Sequence, residues 1–248
     1  MININSFYNE DNIKTMNKIP DNFIDGIITS PPYNITTKRK DGYYNNGYSD
    51  IDNLTEEKYI NLRINEFKEF QRILKPRGVI CYNMSYHNQN PILPILLMTR
   101  VHNDTNLTLT DIISWKKSNS IPFQSSSNKL SRICENIYIL VHKENLHDFE
   151  ANKKISKINE KTGQKFYKAY YNFITAKNND RIKSKLKASY STELVEKLIN
   201  IYFKDGSLIY DPFMGIGTTA RGCLNKNCNF IGSELNEEFY SQSIEMNS

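Results

Sequence analysis

Residues Ser207 to Thr219 read SLIYDPFMGIGTT, a short apolar strand that runs into a glycine-rich turn. The residues that follow, Ala220 to Leu224, have a pattern typical of a helix. In such a strand–turn–helix corner, Gly215 and Gly217 let a ligand approach the backbone, and the start of the helix offers free N–H groups. The stretch therefore predicts a nucleotide-binding corner in an α/β fold.

A second apolar strand is predicted from Asn229 to Gly232, and Glu234 follows it. This is about the spacing expected of a carboxylate that binds ribose hydroxyls. The pattern Gly215-x-Gly217-x-x-Ala220 also matches the dinucleotide fingerprint, which makes NAD an alternative ligand for the same turn. The glycine turn and Glu234 therefore do not decide between NAD and another nucleotide cofactor.

The segment Thr29–Asn34 reads TSPPYN and directly follows the apolar run Phe23–Ile28, which predicts a strand. Proline fixes φ and pushes the preceding residue into an extended conformation. The carbonyls of Ser30 and Pro31 are therefore held in a nearly fixed direction. A rigid row of acceptors beside the ring of Tyr33 suits a flat heterocycle with an exocyclic amine. The alternative is an ordinary turn at the end of a strand.

Together, the two turns resemble the S-adenosylmethionine-dependent DNA amino-methyltransferases. In that family an (Asn/Asp/Ser)-Pro-Pro-(Tyr/Phe) turn is catalytic and an Asp-Pro-Phe-x-Gly-x-Gly turn binds the cofactor. The catalytic turn precedes the cofactor turn here, which is the order of the group called beta. The resemblance covers nearly the whole chain and is weakest between about residues 119 and 190. It implies S-adenosylmethionine as the cofactor and requires no metal. It assigns catalytic roles to Ser30, Pro31, Pro32 and Tyr33, and cofactor contacts to Asp11, Thr29, Asp211, Pro212, Phe213, Gly215, Gly217, Thr218 and Glu234.

The motif order implies a circularly permuted, Rossmann-like sheet. The chain ends soon after a predicted helix, Asn236–Met246, so the remaining strand of the cofactor half is expected from Ile2–Phe7, which alternates and then reaches Asp11. In the family an acidic residue at this point contacts the adenine of the cofactor. The alternative for Asp11 is a helix N-cap. Apolar residues recur at helical spacing at Ile60, Ile64, Phe67, Phe70 and Leu74, which predicts one buried helix face. Helices and strands alternate through the rest of the chain, which favours a mostly parallel sheet with helices on both faces.

One departure from the family lies between Leu186 and Leu194. The family often has a His-Pro-rich segment here, lining the cofactor pocket, whereas this stretch has neither histidine nor proline. Tyr190 is a candidate to keep an aromatic role.

The composition favours a single domain with an insertion. The chain has 248 residues, of which 39% are hydrophobic, and no apolar run approaches the length of a membrane span. The N-terminus lacks the pattern of a signal peptide. We therefore expect no membrane association and a cytoplasmic location, or an intracellular one in a host cell if a virus or mobile element encodes the protein.

The four cysteines lack zinc-like pairing with histidine, and a metal site at His142, His147 and Asp148 is disfavoured. No cysteine follows a proline, which argues against the Pro-Cys nucleophile of cytosine C5-methyltransferases.

Positive charge is concentrated between Ala151 and Tyr190. This segment has ten lysines and one arginine against two acidic residues, a local balance of +9 in a chain of net charge +5. Such charge supplies affinity for phosphates, and interleaved aromatic rings can stack on bases. The alternative is a solvated basic face.

We predict a target-recognition region at 119–187 and a catalytic domain made of 1–118 and 188–248. A basic loop, Thr36–Tyr48, is the second predicted DNA contact, with a flexible connector as its alternative. The predicted DNA-binding residues are Lys38, Arg39, Lys40, Lys153, Lys154, Lys157, Lys165, Lys168 and Arg181.

These features predict methylation of the exocyclic amine of a base flipped out of double-stranded DNA. Within the family, serine at the first catalytic position is associated mainly with cytosine N4 and aspartate mainly with adenine N6. Cytosine N4 is therefore favoured for Ser30, and adenine N6 is the alternative. An NAD-dependent oxidoreductase and a DNA-binding protein without catalysis are the other two classes of function. The sequence does not decide between a monomer and a homodimer. It also does not decide whether a cognate restriction endonuclease is a partner.

Overall fold

The structure is a computed structural model that describes residues 2–34, 54–86, 90–120, 127, 130–149, 151–182, 184, 186 and 189–247. Its strands are β1 (Ser6–Tyr8), β2 (Ile24–Thr29), β3 (Leu74–Met84), β4 (Leu107–Lys117), β5 (Cys134–His142), β6 (Ile155–Ile158), β7 (Lys165–Tyr167), β8 (Phe173–Ala176), β9 (Leu208–Asp211) and β10 (Asn229–Ser233). Its α-helices are α1 (Asn12–Met16), α2 (Glu56–Ile73), α3 (Leu93–Asp104), α4 (Thr192–Tyr202), α5 (Thr218–Asn225) and α6 (Glu237–Asn247). The predicted DNA contacts Lys38, Arg39 and Lys40 lie outside the described residues.

Eight of the strands form one sheet in the order β1-β10-β9-β2-β3-β5-β4-β8. Among these described strands, β5 alone runs antiparallel to its neighbours. The prediction of a mostly parallel α/β sheet is confirmed. Strands β6 and β7 form a separate antiparallel hairpin, which we call the basic hairpin and define as residues 153–168.

The N-terminal strand completes the cofactor half of the sheet, as the motif order predicts. β1 pairs in parallel with β10, with Ser6 opposite Ile231 and Tyr8 opposite Ser233. The backbone N–H of Glu234 then donates to the carbonyl of Tyr8, at 3.0 Å. The two ends of the chain are therefore adjacent, which is the geometry of a circular permutation.

Helices cover both faces of the sheet. On one face, α1, α2 and α3 bury side chains such as Phe67 and Leu97 in a core cluster that includes Tyr82 of β3. On the other face, α4 and α5 contribute Leu198 and Cys223 to a second cluster. The apolar periodicity of α2 predicted its buried face, because residues three and four apart lie on the same side of a helix.

The predicted target-recognition region at 119–187 contributes two strands to the sheet. β5 lies between β3 and β4, and β8 pairs with β4. The run Ile137–Val141 is fully buried, and such an apolar run is stable only inside a covered sheet. The two strands of the basic hairpin pair only with each other. Target recognition by this region stays a prediction.

No described helix combines the length and the apolar character that spanning a bilayer needs. Within the same described ranges, His, Cys, Asp and Glu side chains form no group of three or more placed to hold a metal ion.

Candidate active site

The two predicted turns meet at one corner of the sheet. β2 and β9 are neighbouring parallel strands, with Ile27 opposite Tyr210, so their carboxyl ends lie at the same edge. There the Thr29 hydroxyl donates to Oδ1 of Asp211 at 2.7 Å, although the two residues are 182 positions apart. The carboxyl ends of parallel strands are where α/β folds bind ligands. The turns that the sequence predicted to be catalytic and cofactor-binding are therefore joined directly.

Asp211 is the buried centre of this corner. Besides Thr29, its carboxylate accepts from the backbone N–H of Phe213 at 3.0 Å, the Tyr190 hydroxyl at 3.0 Å and the Thr219 hydroxyl. Burial raises the pKa of Asp211, and these hydrogen bonds oppose that rise. Four donors match the roughly four lone-pair sites of a carboxylate. These contacts give Asp211 a positioning role, and its direct contact with a cofactor stays a prediction.

The glycine turn has the backbone conformation that its sequence requires. Gly215 and Gly217 have φ of 56° and 79°, in the left-handed region that favours glycine, and Gly217 caps the start of α5. The N–H of Gly215 donates to Glu234 Oε2 at 2.9 Å, and the N–H of Asn236 donates to Oε1 at 2.8 Å. Glu234 is thus held rigidly beside the turn, with only 2% of its surface exposed.

A cavity of about 90 Å³ adjoins this turn, and Asp11, Phe213 and Glu234 are among the residues that line it. Oδ1 of Asp11 accepts from the N–H of Ile13 at 2.9 Å, so the N-cap alternative for Asp11 is observed. Its contact with adenine stays a prediction, which the position of Asp11 on the cavity wall permits.

Two residues that the sequence analysis did not single out also line this cavity. The Arg63 guanidinium lies 4.9 Å from the ring centroid of Phe213, and Glu66 forms an ion pair with Arg63 at 3.1 Å. Burial raises the pKa of Glu66 to about 7, against the opposing effect of Arg63. Oε2 of Glu66 is buried and accepts no hydrogen bond from the described residues. A ring, carboxylate acceptors and an unpartnered buried oxygen fit the hydroxyls, amine and flat base of an adenosine group.

The turn Ser30–Tyr33, predicted to be catalytic, is anchored from several sides. The Tyr59 hydroxyl donates to the carbonyl of Pro32 at 2.7 Å. The Tyr33 ring packs against the core cluster below α2, while its hydroxyl lies 2.7 Å from Ser30 Oγ and donates to Glu135 Oε2 at 3.2 Å. Burial and, next, the Glu135 carboxylate raise the pKa of Tyr33 well above its usual value. Tyr33 therefore keeps its proton, and stacking of its ring on a base stays a prediction.

Three polar residues beside this turn were missed by the sequence analysis. Asn83 Nδ2 donates to the Tyr33 hydroxyl at 2.7 Å and to Glu135 Oε2 at 2.9 Å, and it lies 3.4 Å from Ser30 Oγ. Oδ1 of Asn83 is buried and has no hydrogen-bond partner among the described residues. The Lys117 ammonium donates to Glu135 Oε1. Asn83 carried a signal, because it is a polar residue near the carboxyl end of an apolar strand beside β2. Glu135 carried none, because only the antiparallel position of β5 brings it here.

The basic hairpin begins at the other end of the sheet. Asn152 donates to the carbonyls of Ile201, at 2.6 Å, and Phe203, at 2.9 Å, both at the carboxyl end of α4. α4 begins beside the Ser30 edge and runs away from it, so the base of the hairpin is remote from Ser30. Its predicted DNA contacts are exposed: Lys153, Lys154, Lys157, Lys165 and Lys168. Arg181 differs, because it follows β8, whose carboxyl end lies at the Ser30 edge. DNA binding by all six residues stays a prediction.

An open cleft of about 470 Å³ lies between the end of β3 and the start of β5, and Glu135, which accepts from the Tyr33 hydroxyl, is part of its wall. Tyr86, which is 42% exposed, and Arg132 also line it, with the Arg132 guanidinium 5.0 Å from the ring centroid of Tyr86. The cleft thus offers an exposed ring and a cation on the same wall as Glu135.

Comparison with known proteins identifies the family. Residues 24–245 match the model of the N6_N4_Mtase family, described as DNA methylase. Type II methyltransferase M.BglII of Bacillus subtilis is 24% identical over 254 residues, covering 95% of this chain and 67% of that protein. Type II methyltransferase M.HpaI of Haemophilus parainfluenzae is 26% identical over 244 residues, covering 94% and 71%.

Solved structures share the fold. PvuII DNA methyltransferase (cytosine-N4-specific) superposes with a TM-score of 0.74 at 16% identity, covering 98% of this chain and 86% of that one. The M1.HpyAVI–SAM complex gives 0.66 at 20% identity, with 97% of each chain covered. The chain therefore belongs to the N6_N4_Mtase family of DNA methylases, the S-adenosylmethionine-dependent amino-methyltransferases that its two turns resemble.

Proposed function

We propose that this protein methylates the N4 amine of a cytosine flipped out of duplex DNA. The observation that carries the proposal is the Thr29–Asp211 hydrogen bond, which fixes the amine-binding turn beside the cofactor turn. Serine at position 30 favours cytosine, as the family tendency implies. Adenine N6 is the alternative, because both bases present an amine beside a ring nitrogen and the same residues would serve either.

S-adenosylmethionine, when bound, supplies an electrophilic sulfonium methyl group. We assign its adenosine part to the cavity beside Phe213, with Glu234 and Asp11 as acceptors for its polar groups. The glycine turn and the start of α5 would approach the remainder of the molecule. Asp211 would act through its neighbours, because its four hydrogen bonds hold the strand ends in place.

The exocyclic amine of a base is a poor nucleophile, because its lone pair is delocalised into the ring. Ser30 Oγ and the carbonyl of Pro31 would each accept one of its hydrogens, which favours a tetrahedral nitrogen with a localised lone pair. Fixed acceptors also stabilise the positive charge that grows on nitrogen.

Base flipping would bring the target to this corner, at a cost of a few kcal/mol. We assign the cleft lined by Tyr86 and Arg132 as the route, because its wall includes Glu135, the hydrogen-bond partner of Tyr33, and because it pairs an aromatic ring with a cation. A stacked base gains roughly 1–3 kcal/mol. The lysines of the basic hairpin would then contact phosphates farther along the duplex.

Mass spectrometry of nucleosides from treated duplex DNA tests the proposal. With S-adenosylmethionine present we expect N4-methylcytosine. Detection of N6-methyladenine alone would support the alternative base, and the absence of both products would refute the function. Ser30→Ala should lower the yield strongly, whereas Ser6→Ala, at a half-buried serine at the start of β1, should not.

Equilibrium binding separates the proposal from NAD chemistry. We expect the protein to bind S-adenosylmethionine and not NAD. Submicromolar affinity for NAD with no affinity for S-adenosylmethionine would reverse the assignment of the glycine turn.

A further inference from the structure

The Glu135 carboxylate ends a chain of hydrogen bonds that starts at Ser30. It accepts from the Tyr33 hydroxyl and the Asn83 amide through Oε2, and from Lys117 through Oε1. Its side chain is only 13% exposed, and that of Lys117 is 18% exposed. The hydroxyl, amide and carboxylate are thus largely shielded from water and depend on one another for partners.

The chemistry of these groups favours one direction of this hydrogen-bond chain. A carboxylate can only accept, so Glu135 Oε2 is an acceptor for the single proton of the Tyr33 hydroxyl, 3.2 Å away. Either hydroxyl can donate between Ser30 Oγ and the Tyr33 oxygen, which lie 2.7 Å apart, and when the Tyr33 proton points to Glu135 the Ser30 proton is the one between them. Asn83 donates to Tyr33 and Glu135 with its two amide protons, at 2.7 and 2.9 Å. Ser30 Oγ is left with lone pairs alone for any further partner.

An amine offers hydrogens to its site, so Ser30 can grip it only as an acceptor. With the chain reversed, the Ser30 proton would point at the amine hydrogens and repel them. The polarity of the chain is therefore a requirement for the chemistry at Ser30, and the group that sets it is two hydrogen bonds away.

We propose that Glu135 is a positioning residue that sets this polarity and so makes Ser30 an acceptor for the target amine. The inference rests on the proposed function and deepens it. Glu135 does not touch the base; it acts through the Tyr33 hydroxyl. A glutamine in its place can donate as well as accept, which allows the chain to reverse.

The test compares Glu135→Gln, Tyr33→Phe and the double variant in single-turnover methylation of duplex DNA. We expect Glu135→Gln to lower the rate by on the order of 100-fold, the scale of a lost catalytic hydrogen bond. Affinities for S-adenosylmethionine and DNA should stay near those of the wild type. Tyr33→Phe already removes the hydroxyl that links Ser30 to Glu135. The double variant should therefore be no slower than Tyr33→Phe. Asp104→Asn, which removes the charge of an ion pair with Arg100 on α3, is the matched control and should not change the rate.

Two results would overturn the inference while leaving the proposed function intact. One is a wild-type rate in folded Glu135→Gln, and the other is losses in the two single variants that multiply in the double variant. Lys117→Gln provides a second comparison, since it removes the ion pair but keeps Oε2 and its donors. Its rate should fall clearly less than that of Glu135→Gln. A loss as large as that of Glu135→Gln would make the ion pair, and not the polarity, responsible. A wild-type protein that methylates no DNA would instead remove the proposed function, and the inference with it.

Discussion

The corner around Asp211 and the basic hairpin are opposite ways of using polar residues. At the corner, hydroxyls, amides and carboxylates are buried and bound to one another across strands that are distant in sequence. In the hairpin every residue of β6 and β7 is exposed, and the two strands pair only with each other. Buried polar groups are costly when a partner is lost, whereas exposed ones are satisfied by water. The corner can hold reacting groups in place, and the hairpin can only add charge.

The largest expected effect is that of Asp211→Ala. This change leaves the buried hydroxyls of Thr29, Tyr190 and Thr219 without their acceptor, and we expect a loss of at least about 3 kcal/mol in the free energy of unfolding. Methylation should be lost with it. Urea denaturation checks the first result. The control is Asp205→Ala, at an exposed aspartate just before the amino end of β9. Equal destabilisation by the two substitutions would contradict the stabilising role of the Asp211 hydrogen bonds.

Glu234→Ala should weaken S-adenosylmethionine binding without a comparable loss of DNA affinity. A hydrogen bond to a charged group contributes about 1.5–3 kcal/mol, which corresponds to an affinity lower by roughly 10- to 100-fold. Titration calorimetry measures this, with Glu237→Ala, an exposed residue in the first turn of α6, as the comparison. An unchanged affinity would remove the ribose assignment.

A smaller effect is expected in the hairpin. Replacing Lys153, Lys154 and Lys157 by glutamine should make DNA binding less dependent on salt. The slope of the logarithm of the binding constant against the logarithm of salt concentration should become shallower by up to about 0.9 per lost phosphate contact. The single-turnover rate at saturating DNA should not change, because the base of the hairpin is remote from Ser30. Three exposed lysines elsewhere, Lys14, Lys58 and Lys68, form the control set. A slower chemical step in the hairpin variant would place it at the active site, and an unaltered slope would place the DNA surface elsewhere.

The last prediction concerns Glu66 in the cavity beside Phe213. Burial raises its pKa to about 7 in the folded protein, above the ordinary value of 4.5 that applies to the unfolded chain, so the folded state binds more protons between these values. Stability should therefore fall as the pH rises from 5 to 8, by a few degrees in Tm. Calorimetry at several pH values checks this. In Glu66→Gln the part of the pH dependence of Tm that comes from Glu66 should vanish. A pH dependence identical to that of the wild type would mean that other groups cause it.

Much of the fold was predictable from the chain. The amphipathic pattern of α2, the apolar runs of β2, β9 and β10 and the motif order led to the permuted sheet, including its N-terminal strand. These predictions succeeded because periodicity and turn residues are local signals. The strands β6, β7 and β8 were not predicted, since β6 and β7 bury no face and β8 buries only Ile174 and Ala176. The charge count that marked 119–187 does not reveal that β5, which lies in this range, belongs to the sheet.

Part of the candidate site could be predicted from short stretches of sequence, and part could not. Ser30–Tyr33, Gly215 and Gly217 were recognisable, because a rigid turn and a left-handed turn each require particular residues. Their neighbourhood depends on strand order: Asp211 joins Thr29 only because β2 lies next to β9, and Glu135 faces Tyr33 only because β5 runs antiparallel beside β3. Site features that depend on a residue's own backbone conformation can be recognised from residues that are adjacent in the sequence. Chemistry that depends on which buried donor meets which acceptor is set by packing between distant strands, and it becomes visible only when the sheet is assembled.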